Sequence, residues 1–327
     1  MNSHSETGPK AVRSAEDSQG GIAVLAIGHA AYDLCMVVDA YPPENSKAQT
    51  ELLIESGGGP AANAAWLLAR WGVPVALAGV IGEDDYGHRV ATELREGGVD
   101  CRLLEMRKGQ ATPVSFIMVN RANGSRTIVN RKVTAPALTL DHSRLAGLEP
   151  RLLLFDGHEP AASLEAMNAF PSATTVLDAG SLREGTQALA PRVHYLACSE
   201  RFAAQVTGEH DIYGNWQNCL RRLRDLNGNV IVVTLGERGV LFDDGRQQGR
   251  LAALPVKAID TTAAGDIFHG AFAFALLRGM DLGGALRLAI VAAGLSVGRF
   301  GGRPSVPELT EALDLANETG VDLKRHD

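Results

Sequence analysis

The sequence predicts an α/β fold in which a mostly parallel central sheet is covered by helices on both faces, with a small second sheet attached. Three observations carry this. Short, uninterrupted apolar runs recur from 21–28 to 230–235, as strands buried on both faces require. Helix-like segments separate several of these runs, and strand–helix alternation builds a parallel sheet. Two pairs of short strand-like runs, within 34–55 and 114–130, break the alternation. Paired with each other they form a sheet too small to bury itself.

In chain order, 1–20 is polar, rich in Ser and Glu, without an apolar stretch, and reads as a disordered tail or leader. The run 21–28, ending in Gly28, is the first buried strand. Runs 34–41 and 48–55 follow, joined by Pro42-Pro-Glu-Asn-Ser-Lys47. A helix is expected over 60–71, a strand over 75–81 and a helix over 86–97. The second pair, 114–119 and 126–130, flanks a turn containing Asn-Gly, a hairpin signal. Strands at 152–155, 174–177, 194–197 and 230–235 alternate with helices at 161–170, 201–206 and 216–225. After Asp266 the chain is helical over 265–278, 282–298 and 307–315. The expected organisation is one domain over 21–320, with lid segments at about 34–56 and 112–131 inserted, and a frayed end over 321–327.

Composition narrows the function. With 38 acidic and 31 basic residues the net charge is −7, which argues against nucleic acid or an anionic membrane as the main partner. No segment reaches the ~18 apolar residues of a membrane span. Cys35, Cys101, Cys198 and Cys219 form no C-x-x-C pair, so free thiols in a reducing cytosol are the simplest account.

The chemistry concentrates in Asp260-Thr-Thr-Ala-Ala-Gly-Asp266, just before a long apolar run. The small residues Ala263, Ala264 and Gly265 leave backbone N–H groups uncovered at a helix start, an anion site. Asp266 adds a carboxylate at the same point, and the pairing suits phosphoryl transfer. An ordinary capped helix start also uses Asp and Gly. Gly57-Gly-Gly-Pro-Ala-Ala-Asn63 opens a helix about 200 residues earlier; Gly58 and Gly59 permit close backbone approach, and Asn63 offers an amide to a hydroxyl. Alone, the segment is also a flexible turn before a helix.

These two segments closely resemble the C-terminal and N-terminal signatures of the ribokinase-like (PfkB) family of sugar kinases, and the resemblance runs over nearly all of 21–315. It implies a three-layer α/β/α domain with a β-sheet lid and an ATP-dependent carbohydrate kinase, cytoplasmic, using ATP with Mg²⁺. Asp266 is then the catalytic base and also faces substrate, and the N–H groups of 263–266 hold the transferred phosphoryl. Asp33, Gly58, Gly59 and Asn63 bind the sugar. Asp33 follows the first strand; a loop Asp capping a turn is the other account.

Val232-Val-Thr-Leu-Gly-Glu-Arg-Gly239 resembles the family's nucleotide-binding strand and turn. Ser199, Thr234, Gly236, Gly239 and Gly265 are the implied ATP-binding residues. It is neither a Walker P-loop nor a Rossmann fingerprint. Ser296-Val-Gly-Arg-Phe-Gly-Gly-Arg-Pro-Ser305 resembles the family's monovalent-cation loop; Asp260, Thr262, Ser296, Arg299, Gly301 and Ser305 would surround K⁺, several through carbonyls. A glycine-capped helix end is the other account. Many members carry Asn-x-x-Glu after a core strand to organise Mg²⁺. Here that stretch is Ser199-Glu-Arg-Phe202, leaving Glu200 as the only nearby acid, so the phosphates and water hold most of the metal.

The lid resembles ketohexokinase at several positions. Lys47 and Asn130 also match sulfonate-binding positions of sulfofructose kinases, where a third position, an Arg, is here His158. Loss of that guanidinium removes a bidentate anion partner and favours a neutral ketose or ribose as acceptor. A sulfofructose kinase, a nucleoside kinase and a non-catalytic sugar-binding module of the same fold are the alternatives. The lid's unpaired edges and apolar residues, including Ile54, Phe116 and Ile117, predict a homodimer through the lids.

Overall fold

The computed structural model describes residues 21–319; the expectations for 1–20 and 321–327 lie outside them. Strands β1 (Val24–Ile27), β2 (Ala31–Val38) and β3 (Leu53–Gly58) precede helix α1 (Pro60–Arg70). Then come β4 (Val75–Gly82), α2 (Asp85–Glu96), β5 (Leu104–Arg107), β6 (Val114–Asn120), β7 (Arg126–Arg131) and the short α3 (His142–Leu145). The alternating stretch is β8 (Leu152–Phe155), α4 (Pro160–Ala169), β9 (Thr174–Ala179), α5 (Glu184–Leu189), β10 (Tyr195–Ser199), α6 (Glu200–Thr207), α7 (Trp216–Leu226) and β11 (Val230–Thr234). An antiparallel pair, β12 (Val240–Asp243) and β13 (Gln248–Leu251), leads to α8 (Ala264–Leu277), α9 (Leu282–Ser296) and α10 (Leu309–Glu318).

Nine strands form one sheet in the order β13-β12-β11-β10-β9-β8-β1-β4-β5. Every pairing from β11 to β5 is parallel; the β11–β12 and β12–β13 pairings are antiparallel, so β12 alone runs against the rest. The strands β1 and β8 are buried at every position, because helices cover both faces. One core packs α1, α8 and α9 on one face; the other packs α4, α6 and α7 on the opposite face. Helix α8 is buried from Ile267 through Ala275, which explains its apolar character all round.

The second sheet has the order β3-β2-β6-β7, with β2 and β6 parallel and the outer pairs antiparallel. The first strand pair is shifted from its expected place. Pairing on both edges extends β2 back to Ala31, so Asp33 lies inside a strand rather than in a loop, and Gly57 and Gly58 end β3. The elements β5, β13, α3 and α5 carry no apolar run or long periodicity, which is why they escape a pattern-based reading.

Alternation divides the small sheet into two faces. Cys35, Val37, Ile117 and Val119 cluster with Ile54 and Phe300 on the inner face. Phe116, paired with Val129, lies on the other face with Leu53, and the three are 45%, 66% and 53% exposed. Of the three apolar residues from which a partner-facing surface is expected, Phe116 therefore faces outward, while Ile54 and Ile117 lie on the inner face. Among the described residues no helix is long and apolar enough to cross a membrane.

Candidate functional site

The main sheet reverses its strand order at β1, whose neighbours are β8 and β4. Loops leaving such a switch point part and leave a crevice at the carboxyl ends of the strands. Gly28 and His29 follow β1, and Asp156, Gly157 and His158 follow β8. Asp156 is buried and accepts hydrogen bonds from the backbone N–H groups of His29 (2.7 Å), His158 (2.9 Å) and Ala61 (3.1 Å). It thus ties three segments together. Burial alone would raise its pKa; the adjoining His158 and these N–H groups outweigh that and hold the carboxyl well below the usual range. The ring of His29 stacks on His158 at 4.5 Å. Burial, with His158 next in effect, pushes His29 down to about 4, so it is neutral at pH 7. His158 places Nδ1 3.1 Å from Asp156, and its Nε2 meets the guanidinium of Arg183.

Asp33 projects from β2 onto the inner face of the small sheet. Its cross-strand partners are Ser56 and Ser115, and Ser115 pairs in turn with Asn130, so the polar row Ser56–Asp33–Ser115–Asn130 crosses the sheet on one face. Burial raises the pKa of Asp33, while the Ser115 hydroxyl and the charge of Arg303 oppose the rise. Lys47 lies in the exposed loop between β2 and β3.

Helix α1 begins after Gly59, whose φ of 96° no β-carbon residue adopts without strain and whose missing side chain leaves room for the His29 carbonyl. Its first turns are Pro-Ala-Ala-Asn-Ala-Ala. Gly270 of α8 lies against Ala64 so closely that a β-carbon there would sit 3.2 Å from the Ala64 backbone. This small-residue contact brings the Asn63 Nδ2 donor to 2.8 Å from the Asp266 carboxylate, across 203 residues of sequence. Burial raises Asp266 to about 7, with the nearby Asp178 carboxylate adding to the rise and the Asn63 hydrogen bond opposing it. His269, one turn further along α8, places Nδ1 3.0 Å from Asp178. Burial disfavours the imidazolium, but the Asp178 charge prevails and the His269 pKa is raised.

The start of α8 has no side-chain cap, and Ala263 occupies the left-handed region at φ 58°, a strained conformation for alanine, costing on the order of 1 kcal/mol. Asp260 fixes it from behind by accepting the N–H groups of Thr262 and Gly301, both at 2.8 Å. The Ala264 N–H bonds weakly to the Thr261 carbonyl at 3.3 Å. Of the expected donors 263–266, the N–H groups of Ala263, Gly265 and Asp266 have no backbone partner among the described residues. The β6–β7 hairpin reaches this point, with Arg126 donating to the Thr261 hydroxyl at 2.5 Å.

Ser199 and Thr234 face each other in register at the carboxyl ends of β10 and β11. The Ser199 hydroxyl caps α6 through the Phe202 N–H at 3.1 Å and donates to the Gly180 carbonyl. Gly236 and Gly239 have φ of 59° and 87° and shape the turn into β12. Glu200 is held by Arg238 at 2.5 Å, so its carboxylate already has a cation, and no cluster of three metal-ligating side chains occurs among the described residues. In the loop after α9, Arg299 pairs with Glu311 at 2.8 Å, leaving only its main chain for a cation. The Ser296 and Ser305 hydroxyls donate to Ala293 and Gly302 carbonyls.

Sequence reasoning missed Asp156, Asp178, His269, Arg183, Glu93 and Arg303. Asp156 and Asp178 end apolar strands, which was a usable signal. Arg303 sits between Gly302 and Pro304, where an arginine reads as solvent-exposed; it is buried instead.

Residues 22–309 match the family model described as pfkB family carbohydrate kinase. A ribokinase of Lactococcus lactis is 28% identical over 315 residues, covering 92% of this chain and 99% of that protein. Among solved structures, an Agrobacterium tumefaciens protein assigned as a ribokinase superposes with a TM-score of 0.83 at 28% identity, covering 91% of this chain and 98% of that one. A Cryptococcus neoformans ribokinase in complex with ADP gives 0.74 at 26% identity, covering 90% and 100%.

Proposed function

This chain belongs to the pfkB family of carbohydrate kinases and is an ATP-dependent sugar kinase; we propose that it transfers the γ-phosphoryl group of ATP to a hydroxyl of ribose or a closely similar small sugar in the cytoplasm. The observation that carries the site assignment is the 2.8 Å contact between Asn63 and Asp266. It joins the glycine-rich segment at the switch point to the uncapped start of α8. Similarity to ribokinases supports ribose as acceptor.

In this reading the sugar lies in the crevice at the ends of β1 and β8, with Asp33 accepting and Asn63 bonding its hydroxyls. Asp266, raised to about 7, takes the proton from the attacking hydroxyl, which a base of that pKa does well at neutral pH. As the sugar oxygen bonds to the γ-phosphorus, the bond to the bridging oxygen breaks and ADP leaves. The N–H groups at the start of α8, over 263–266, stabilise charge on the transferred group. Ser199, Thr234, Gly236 and Gly239 bind the nucleotide. Mg²⁺ would be held mainly by the nucleotide phosphates and would neutralise their charge; with Glu200 tied to Arg238, the protein would add little to its coordination. A K⁺ ion fits beside Asp260, where the Thr262 hydroxyl is buried without a hydrogen-bond partner and oxygen donors suit a hard cation. Asp260, Thr262, Ser296, Arg299, Gly301 and Ser305 would hold it.

A second reading has one observation in its favour. Arg183 reaches His158 and brings a guanidinium to the position where the sequence shows none, which suits an acceptor carrying an anionic group, as in a sulfo-sugar. The inner face of the four-stranded sheet closes over the sugar, and its exposed outer face with Leu53, Phe116 and Val129 pairs with a second copy as a homodimer. ADP release measured across ribose, fructose, an anionic ketose and a nucleoside tests the substrate. Turnover with ribose supports the first reading; turnover only with the anionic sugar favours the second; none with any of them removes both.

A further inference from the structure

Arg303 follows the glycine pair of the loop after α9, in a short 3-10 turn, Arg303–Ser305. It is 3% exposed and lies among four groups from three elements, α1, α2 and β2. Its Nε donates to the Asn63 Oδ1 at 3.2 Å. One terminal nitrogen stands 3.0 Å from the Glu93 carboxylate of α2. Its guanidinium lies over the Trp66 ring of α1 at 5.5 Å. Its charge acts on Asp33. Glu93 in turn accepts the Gly57 N–H at 2.5 Å, and a β-carbon at Gly57 would fall 2.0 Å from the guanidinium. The glycine at that point is therefore a requirement of the arginine.

An amide side chain has two nearly isosteric orientations, and only its hydrogen-bond partners choose between them. Asn63 must present its NH₂ to Asp266, since two facing oxygens would repel. We propose that Arg303 is the positioning residue that sets this choice: by donating to Oδ1 it locks the Asn63 amide with NH₂ toward Asp266, and so fixes the carboxylate against the acceptor hydroxyl. Arg303 acts through Asn63, not on the substrate. It sits two residues beyond Gly301, whose N–H binds Asp260, so the loop that holds the start of α8 also orients the base from the side. The inference rests on Asp266 being the base.

The test must separate positioning from the cost of depriving the half-buried Glu93 carboxylate of its cation. Three changes are made on a Glu93→Gln background, which keeps an acceptor for the Gly57 N–H. Arg303→Met removes the donor; Arg303→Gln keeps one able to reach Asn63; Asn63→Ala removes the link. With saturating sugar and ATP, Arg303→Met is expected to lower kcat by about 10–100-fold, the scale of misplacement effects. Arg303→Gln should recover most of that loss. Adding Asn63→Ala to Arg303→Met should cost little more than Asn63→Ala alone. A purely structural role would lower the melting temperature of the Met and Gln variants without separating their kcat values. Equal kcat for both, or fully additive losses with Asn63→Ala, overturns the proposal. Asp266→Asn is run alongside: if it keeps kcat, the base assignment fails; if it loses kcat while Arg303→Met keeps it, only the positioning role fails.

Discussion

Replacing Asp266 with Asn should stabilise the fold while removing its activity, and the two effects have separable pH dependences. The ordinary carboxyl value of 3.8 is raised to about 7 by burial and by Asp178. A carboxyl whose folded pKa is raised binds its proton more tightly in the folded than in the unfolded chain. Its favourable contribution is complete below about 3.8 and is lost as pH rises to 7, above which the folded state carries the full cost of the buried charge. A displacement of about three units corresponds to about 4 kcal/mol at most. Asn carries no charge and retains an oxygen to accept from Asn63 Nδ2, so above pH 7 the variant should gain up to that amount. At roughly 2 °C per kcal/mol for a chain of this size, the melting temperature at pH 8 should rise by several degrees, with a much smaller difference at pH 5. The same variant should lose about 10²–10⁴-fold in kcat, the usual contribution of a general base. Scanning calorimetry at pH 5 and 8 together with ADP release is the assay. An Asn variant no more stable at pH 8 than wild type would refute the buried-charge argument. Retained turnover would refute the base.

The acid limb of kcat/KM should fall as pH drops through about 7, because protonated Asp266 cannot accept the hydroxyl proton; a limb below pH 5 would point to a different base. Asp33→Ala should raise the sugar KM sharply and leave nucleotide affinity nearly intact, with calorimetric titration of each ligand as the check. Gly57→Ala should destabilise by about 1–3 kcal/mol in urea unfolding, as overpacking does, because its β-carbon meets the Arg303 guanidinium; an unchanged midpoint would mean the loop yields freely. Val129→Glu with Phe116→Glu, both on the exposed face of the small sheet, should shift a dimer toward monomer in sedimentation and leave the melting curve of the monomer unchanged.

Much of the architecture was legible because it depends on local pattern. Uninterrupted apolar runs such as 152–155 mark strands buried on both faces, and β8 occupies those residues. The small residues before Asp266 mark an uncapped helix start, and α8 begins there. Edge elements were not legible: β5 reads Leu-Glu-Met-Arg and owes its strand form to pairing with β4 rather than to its own residues. The site divides the same way. Sequence alone determined the chemical vocabulary, namely a carboxylate at a helix start, a glycine-rich turn before Asn63, and an Asp33 shortly after the first strand. Only the tertiary structure decided which of them meet. The Asn63–Asp266 contact depends on Gly270 packing against Ala64, the charge state of Asp266 on Asp178 and burial, and the guanidinium beside His158 on Arg183 arriving from another loop. Burial of Arg303 against Glu93 and Trp66 was equally out of reach. Periodicity reports which face of an element is buried, but distances between side chains far apart in sequence are set by how closely elements pack, a property of pairs of segments that neither segment carries alone.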